Sequence, residues 1–185
     1  MNRQDPIRAS FLALLYLLCG AIMQPALAAS AREIDIKTDA ALERFRQEVN
    51  GGDRFLESAK GVLVFPEVLK AGFGIGGEYG EGALRIGGKT VDYYNTAGIS
   101  FGFQLGAQAK TVVLVFLEQK ALDDFRSSPN FEVGADGSVA VIEFGAGKDI
   151  NTLNITDPIV GFVISNKGLM YNLTLEGSKI TRLSK

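Results

Sequence analysis

The 185 residues include no histidine and one cysteine, Cys19, which removes the usual general base near neutral pH and the commonest zinc ligand. Ser100 lies in Ile99-Ser100-Phe101-Gly102 rather than a G-x-S-x-G elbow, and only lysine is left to activate it. Two sets of carboxylates have suggestive spacing. Asp123 and Asp124 are helix neighbours that face different ways, and Glu78 and Glu81 read as exposed, solubilising charges. Asp149, Asn151 and Asp157 supply oxygen ligands, but their spacing matches no calcium loop. Gly72, Gly74 and Gly77 satisfy G-x-G-x-x-G, yet the motif needs a helix N-terminus next, and Glu78-Tyr79-Gly80-Glu81-Gly82 supplies glycine and two acids that repel phosphate. No catalytic residue, cofactor or metal site is therefore expected.

The elements that must hold these residues change character along the chain. Ala41, Leu42, Phe45 and Val49 recur at helical spacing, predicting a helix within Ile34–Ala59 with Thr38 or Asp39 as its cap, ended by Asn50-Gly51-Gly52 and followed by a short second helix from Asp53. Gly61–Phe65 reads as a buried strand stopped by Pro66. Hairpins are predicted at Gly87-Gly88, joining Ala83–Ile86 to Thr90–Tyr94, at Asp136-Gly137, joining Phe131–Val133 to Val139–Ile142, and at Asn166-Lys167-Gly168, joining Ile159–Ser165 to Leu169–Leu175. Thr111–Leu117 is a further strand, and Glu118–Ser127 one short mid-chain helix. Gly72–Gly76 and Gly98–Gly106 echo each other: each has one apolar face and one nearly bare face, which a strand, a helix or a ligand can approach closely.

Arg3 and Arg8, an apolar run from Phe11 to Met23, and Ala26-Leu27-Ala28 form the three parts of an export signal, with cleavage expected after Ala28. The apolar run is too short for a spanning helix. Leu18 precedes Cys19 where lipoprotein processing wants a small residue, so acylation is the lesser expectation. The expected product is one domain, residues 29–185, in the periplasm or cell envelope and without a thiol. Arg3, Arg8 and Asp5 leave with the signal, so its loss takes the formal net charge from −2 to −3, a balance that argues against nucleic acid as a partner.

Ala59-Lys60-Gly61-Val62-Leu63-Val64-Phe65-Pro66, Lys70-Ala71-Gly72-Phe73-Gly74-Ile75-Gly76-Gly77, Gly80-Glu81-Gly82-Ala83-Leu84, Ser100–Gln108, Ala121-Leu122-Asp123-Asp124-Phe125 and Gly168–Gly177 follow one another as in the SYLF domain family of lipid-binding proteins, which the chain resembles from about Ala40 to Arg182. The resemblance implies an α+β fold: a mainly antiparallel β-sheet, or partly closed barrel or sandwich, with N-terminal helices and the mid-chain helix packed on it. It also implies a non-enzymatic domain whose partners are membrane lipids, as phosphoinositides are for eukaryotic members. Actin, bound by some fungal members, is not expected as a partner of an exported chain. The segment Ala31–Val49, where eukaryotic members are basic, is mixed in charge here.

On that resemblance Lys60, Lys70, Arg85 and Lys89 are candidate contacts for lipid phosphates, beside an apolar groove lined by Phe65, Phe73 and Phe101. The plainer reading makes the cations exposed hairpin charges and the phenylalanines core. The competing functions are a structural module that binds an envelope protein through a sheet edge, and a hydrolase without histidine or cysteine. A small outer-membrane barrel is disfavoured by Pro66, Pro129, Pro158 and the helical stretches.

Overall fold

The computed structural model describes residues 29–144, 156–165, 175 and 177–185, of which 72–75, 100–107, 143, 144 and 165 as backbone only. The export segment with Cys19, the strand after Asn166-Lys167-Gly168, Asp149 and Asn151 lie outside the described residues.

Helices α1 (Ala31–Glu48) and α2 (Gly52–Ser58) come first. α1 starts a turn earlier than its apolar spacing suggests, because Ser30 is the cap and its hydroxyl accepts from the Glu33 N–H at 3.2 Å. Thr38 is no cap: it is buried in the helix with its hydroxyl unpartnered. Gly51, at φ 82°, makes the left-handed break between the two helices.

Strands β1 (Gly61–Ile86) and β2 (Lys89–Phe116) then pair antiparallel over almost their whole length, around the Gly87-Gly88 turn whose φ values of 57° and 78° fit a two-residue hairpin. The two echoing glycine segments are the two arms of this hairpin, with Gly72 opposite Gly106 and Gly74 opposite Gly102. Pro66 does not end the strand. It sits in a register shift between Phe65 and Val68, on a strand that among the described residues pairs only with β2, so its missing N–H costs no ladder bond there, and its carbonyl accepts from the Thr111 hydroxyl at 2.8 Å.

Helix α3 (Gln119–Ser127) leads to β3 (Asn130–Glu132), β4 (Val139–Phe144), β5 (Ile159–Ser165) and β6 (Lys179–Leu183). On the free edge of β2, residues 93–97 take β6 and then β3, while residues 110–116 take β5 and then β4. The hairpin expected at Asp136-Gly137 does not form. Asp136 closes a tight turn on Glu132, accepting its N–H at 2.8 Å, and the chain then leaves β3 to β6 and carries β4 to a parallel pairing with β5. The fold is thus α+β with a mainly antiparallel, curled sheet.

The sheet has core on both faces. Leu63, Phe65, Leu84, Tyr94, Leu114 and Phe116 point to the inner face, closed by Leu122 and Phe125 of α3. Val62, Val64, Val113, Val115 and Phe162 point to the other, covered by Phe45 and Val49 at the end of α1 and by Phe55 of α2. Two buried faces explain why Gly61–Phe65 and Thr111–Phe116 are nearly unbroken apolar runs.

The inner core contains both ends of β1 because the hairpin folds over on itself. A Cβ on Gly82 would lie 2.1 Å from the Val64 carbonyl oxygen, and one on Gly80 would lie 2.7 Å from that of Glu67. At Gly80 and Gly82, then, what approaches the bare face of the glycine-rich strand is the first part of the same strand.

Candidate functional site

An open groove of about 650 Å3 lies between α1, α2, the start of β1 and the Gly87-Gly88 turn. Leu42, Leu56, Ala59 and Val62 give it an apolar floor. Asp39, Glu43, Glu57, Arg46 and Arg85 give it a rim of both signs. α1 supplies Asp39, Leu42, Glu43 and Arg46 at three- and four-residue spacing, so one helix stripe builds a whole wall.

Arg85 fixes that wall. Its guanidinium donates to the Asp39 carboxylate at 2.8 Å and to the Asp35 carbonyl at 3.3 Å, and the Asp35 carboxylate also accepts from the Thr90 hydroxyl at 2.6 Å and the Tyr93 hydroxyl at 2.9 Å. Burial, and then this bond to Asp35, raise the Tyr93 phenol above its ordinary range. Arg46 bridges to Glu43 and Asp53.

The candidate residues fall into separate environments. Lys60 and Lys89 are exposed, have no side-chain ion pair among the described residues, and flank groove-lining residues: Lys60 lies between Ala59 and Gly61, and Lys89 follows Gly88. Lys70 is half-buried further along β1, opposite Gln108. Arg85 is committed to α1. Phe65 is sealed in the inner core, away from the groove. Phe73 and Phe101 lie in β1 and β2, with their side chains outside the described residues, as is that of Ser100.

One polar cluster differs from what the sequence suggests. Glu78 is not a solubilising charge: its carboxylate accepts from Lys110 Nζ at 2.8 Å and from the Ser178 hydroxyl at 3.0 Å, with the Lys110 side chain 3% and the Glu78 side chain 7% exposed. The three meet inside the inner apolar core beside a cavity of about 10 Å3, the space of a single water. The signal was the alternation on β1: Glu78 shares a face with Gly80, Gly82 and Leu84, which turn inward. A second buried carboxylate, Asp92, is held by Arg126 of α3 at 3.3 Å and by Arg182 of β6.

Among the described residues no group of three acids, cysteines or histidines is arranged to hold a metal ion, and no helix is long and apolar enough to cross a membrane. With no nucleophile set beside a base among the groove's residues, the arrangement offers binding chemistry: an apolar floor, a charged rim and, at its margin, two lysines with no ion pair among the described residues.

Residues 97–185 match the model of the Ysc84 family, described as Las17-binding protein actin regulator. The chain is also 27% identical, over 139 residues, to the SH3 domain-containing YSC84-like protein 1 of Rattus norvegicus and to that of Mus musculus, covering 70% of this chain and 41% of each relative. The Homo sapiens protein of the same name is 27% identical over the same length, of which 40% is covered. The chain therefore spans less than half the length of these relatives.

Proposed function

We propose, from the match of residues 97–185 to the Ysc84 (SYLF) family, that this chain is a non-enzymatic binding domain of the cell envelope that captures anionic lipid headgroups. The observation that carries the reading is the groove beneath Gly87-Gly88, with the exposed Lys60 and Lys89 at its margin, neither of them ion-paired among the described residues. Lysines in this state can give their charge to a phosphate without first breaking an internal pair, whereas Arg85 and Arg46 would have to abandon Asp39 and Glu43. Capture of an acyl chain in the inner core is not favoured, since the cavity there holds about one water and is already occupied at its rim by the Glu78–Lys110 pair.

Vesicle flotation tests this. The protein should float with vesicles of phosphatidylethanolamine and phosphatidylglycerol and much less with phosphatidylcholine, and Lys60→Glu with Lys89→Glu should weaken binding several-fold. Equal flotation with both vesicle types and both proteins would overturn headgroup capture by these lysines.

A protein ligand is the second reading, favoured by the family description as an actin regulator. Co-sedimentation with actin filaments, together with copurification of envelope proteins, separates it from the first.

A further inference from the structure

Arg85 serves two carboxylates, Asp35 and Asp39, and Arg46 serves Glu43 and Asp53. At Asp92 the ratio is reversed. Its side chain is 6% exposed and accepts from the guanidiniums of both Arg126, at 3.3 Å, and Arg182. These two side chains are 40% and 55% exposed, and each donates to Asp92 through Nη2 with no other partner among the described residues. Two positive charges are therefore gathered on one buried negative charge, and most of their N–H donors stay open to solvent.

The strand register assembles this cluster. Tyr94 lies opposite Arg182 across β2 and β6, and Asp92 shares the inner face of β2 with Tyr94, so Asp92 and Arg182 are diagonal neighbours. Arg126 stands in the last turn of α3, directly after Phe125, whose ring packs on that of Tyr94 with centroids 4.9 Å apart. β3 pairs with β6 only as far as Thr181, so the cluster opens between the end of α3 and the end of β6. Tyr94 adds an orphaned donor. Its hydroxyl is buried without a hydrogen-bond partner among the described residues, a state that folded proteins ordinarily avoid. Burial raises the phenol's pKa, and of the charges acting on it Asp92 raises it further while Arg182 and Arg126 lower it, which places the hydroxyl beside all three.

We propose that Arg126, Arg182 and Tyr94 form a binding site for one carboxylate group of a ligand, with Asp92 as the buried anchor that sets the two guanidiniums side by side. Charge decides the class: two arginines against one aspartate leave a surplus of one positive charge, which a carboxylate neutralises and a doubly charged phosphate exceeds. Shape agrees, because the guanidinium fork matches the two oxygens of a carboxylate. A small organic acid and the C-terminus of a peptide both carry this group. The site lies on the inner-face rim, apart from the groove and its lysines, and does not depend on the lipid reading.

Titration of the purified protein, expressed as the full chain and followed by amide and guanidinium NMR, tests this at about pH 8, where phosphate carries two charges. The probes are acetate, inorganic phosphate, and trialanine with a free or an amidated C-terminus. Acetate and free trialanine should bind saturably, and phosphate and amidated trialanine at least about ten-fold more weakly, the worth of one charge-assisted hydrogen bond. Tighter binding of trialanine than of acetate identifies a peptide terminus as the ligand and equal binding a small acid; either supports the site. Arg182→Gln should weaken both by about ten-fold. Tyr94→Phe should weaken them several-fold without lowering the urea midpoint, since the hydroxyl has no partner when the site is empty, and it carries the test alone if Arg182→Gln fails to fold. A purely structural clamp predicts lower stability in Arg182→Gln and no binding. The proposal is overturned if folded wild type binds neither carboxylate, if binding is unchanged in the variants, or if phosphate binds as tightly as acetate. Vesicle flotation with Lys60→Glu and Lys89→Glu reads the other site, so failure of either reading leaves the other standing.

Discussion

The two halves of the long hairpin are built on different rules. In the half nearest α2, Gly61–Phe65 and Thr111–Phe116 are buried on both faces, and both faces are packed by apolar side chains. In the half nearest the turn, the inner face joins the core and the outer face buries only Ala83 among its apolar side chains that the structure describes. The outer face is clamped to α1 by Asp35, Thr90, Tyr93 and Arg85 and then left open at Tyr79 and Ile99. One half supplies stability through area removed from water. The other keeps a surface free, and beyond the inner core it shares with the first half it is held by polar contacts of modest strength and by close contacts with that half, two of which are especially tight points. Those points are the Glu78–Lys110 pair and the glycine contact of Gly82 on Val64.

Breaking the first of these points should have the largest effect. Lys110→Met leaves the Glu78 carboxylate buried with only the Ser178 hydroxyl as a partner, and removal of one member of a buried ion pair costs about 3–5 kcal/mol. Replacing both, Glu78→Leu with Lys110→Met, should recover most of that loss, because an apolar pair of similar volume suits the surrounding Phe65, Val112 and Leu114. Urea midpoints of the three proteins decide the matter. A single variant as stable as the wild type would mean that the pair does not join the halves.

The second point is nearly as sensitive. Gly82→Ala sets a methyl against the Val64 carbonyl, and backbone cannot rotate away as a side chain can, so a loss of about 3 kcal/mol, the top of the usual overpacking range, is expected. Gly61→Ala is the control, since its new methyl would crowd the movable end of Leu122 and lie at ordinary contact distance from Ile86. Equal losses for the two would show that the hairpin yields at Gly82.

These two points also mark where the sequence stopped being legible. The doubly buried half is written as continuous apolar runs, and its strands could be placed by eye. The Gly87-Gly88 turn and the three helices were equally plain, each from local spacing. Pro66 misled because it reads as a stop only if its strand has two neighbours. The Asp136-Gly137 hairpin misled because a sound local turn does not say which strand each arm will choose, and β6 and β5 offered better partners. Glu78 reads as a surface charge because its partners Lys110 and Ser178 are 32 and 100 residues away. Long-range pairing of this kind leaves no mark in a window of neighbours. For the candidate site, Lys60 and Lys89 are candidates through the resemblance and through their places beside a matched strand and the Gly87-Gly88 turn, and nothing local reveals that Arg85 is tied to α1 or that Phe65 faces the inner core.

The clamp on the turn-side half can be loosened at its origin. Ser30→Ala removes the hydroxyl that caps α1, which should cost about 1 kcal/mol. Hydrogen exchange should show faster opening of the first turn of α1 with the α2 end unchanged. Uniform acceleration along the helix would mean that α1 and the sheet open as one unit.

The clamp is also sensitive to alkali, with a smaller effect. Tyr93 is raised above its ordinary 10.0 by burial and by donating to Asp35, so the folded state keeps a proton that the unfolded chain gives up. Its contribution is complete below pH 10 and is lost as the pH rises through the raised value, because the unfolded state then binds fewer protons and stability falls with pH. Burial raises Tyr79 and Tyr94 in the same direction, so the wild type should lose stability steadily above pH 10. Tyr93→Phe removes one share of that slope and leaves the rest. Urea midpoints measured between neutral pH and the alkaline limit should therefore converge for the two proteins as the pH rises, the variant starting lower. Parallel curves would place the alkaline sensitivity in groups other than Tyr93, among them Tyr79, Tyr94 and Lys37, each raised in the folded state.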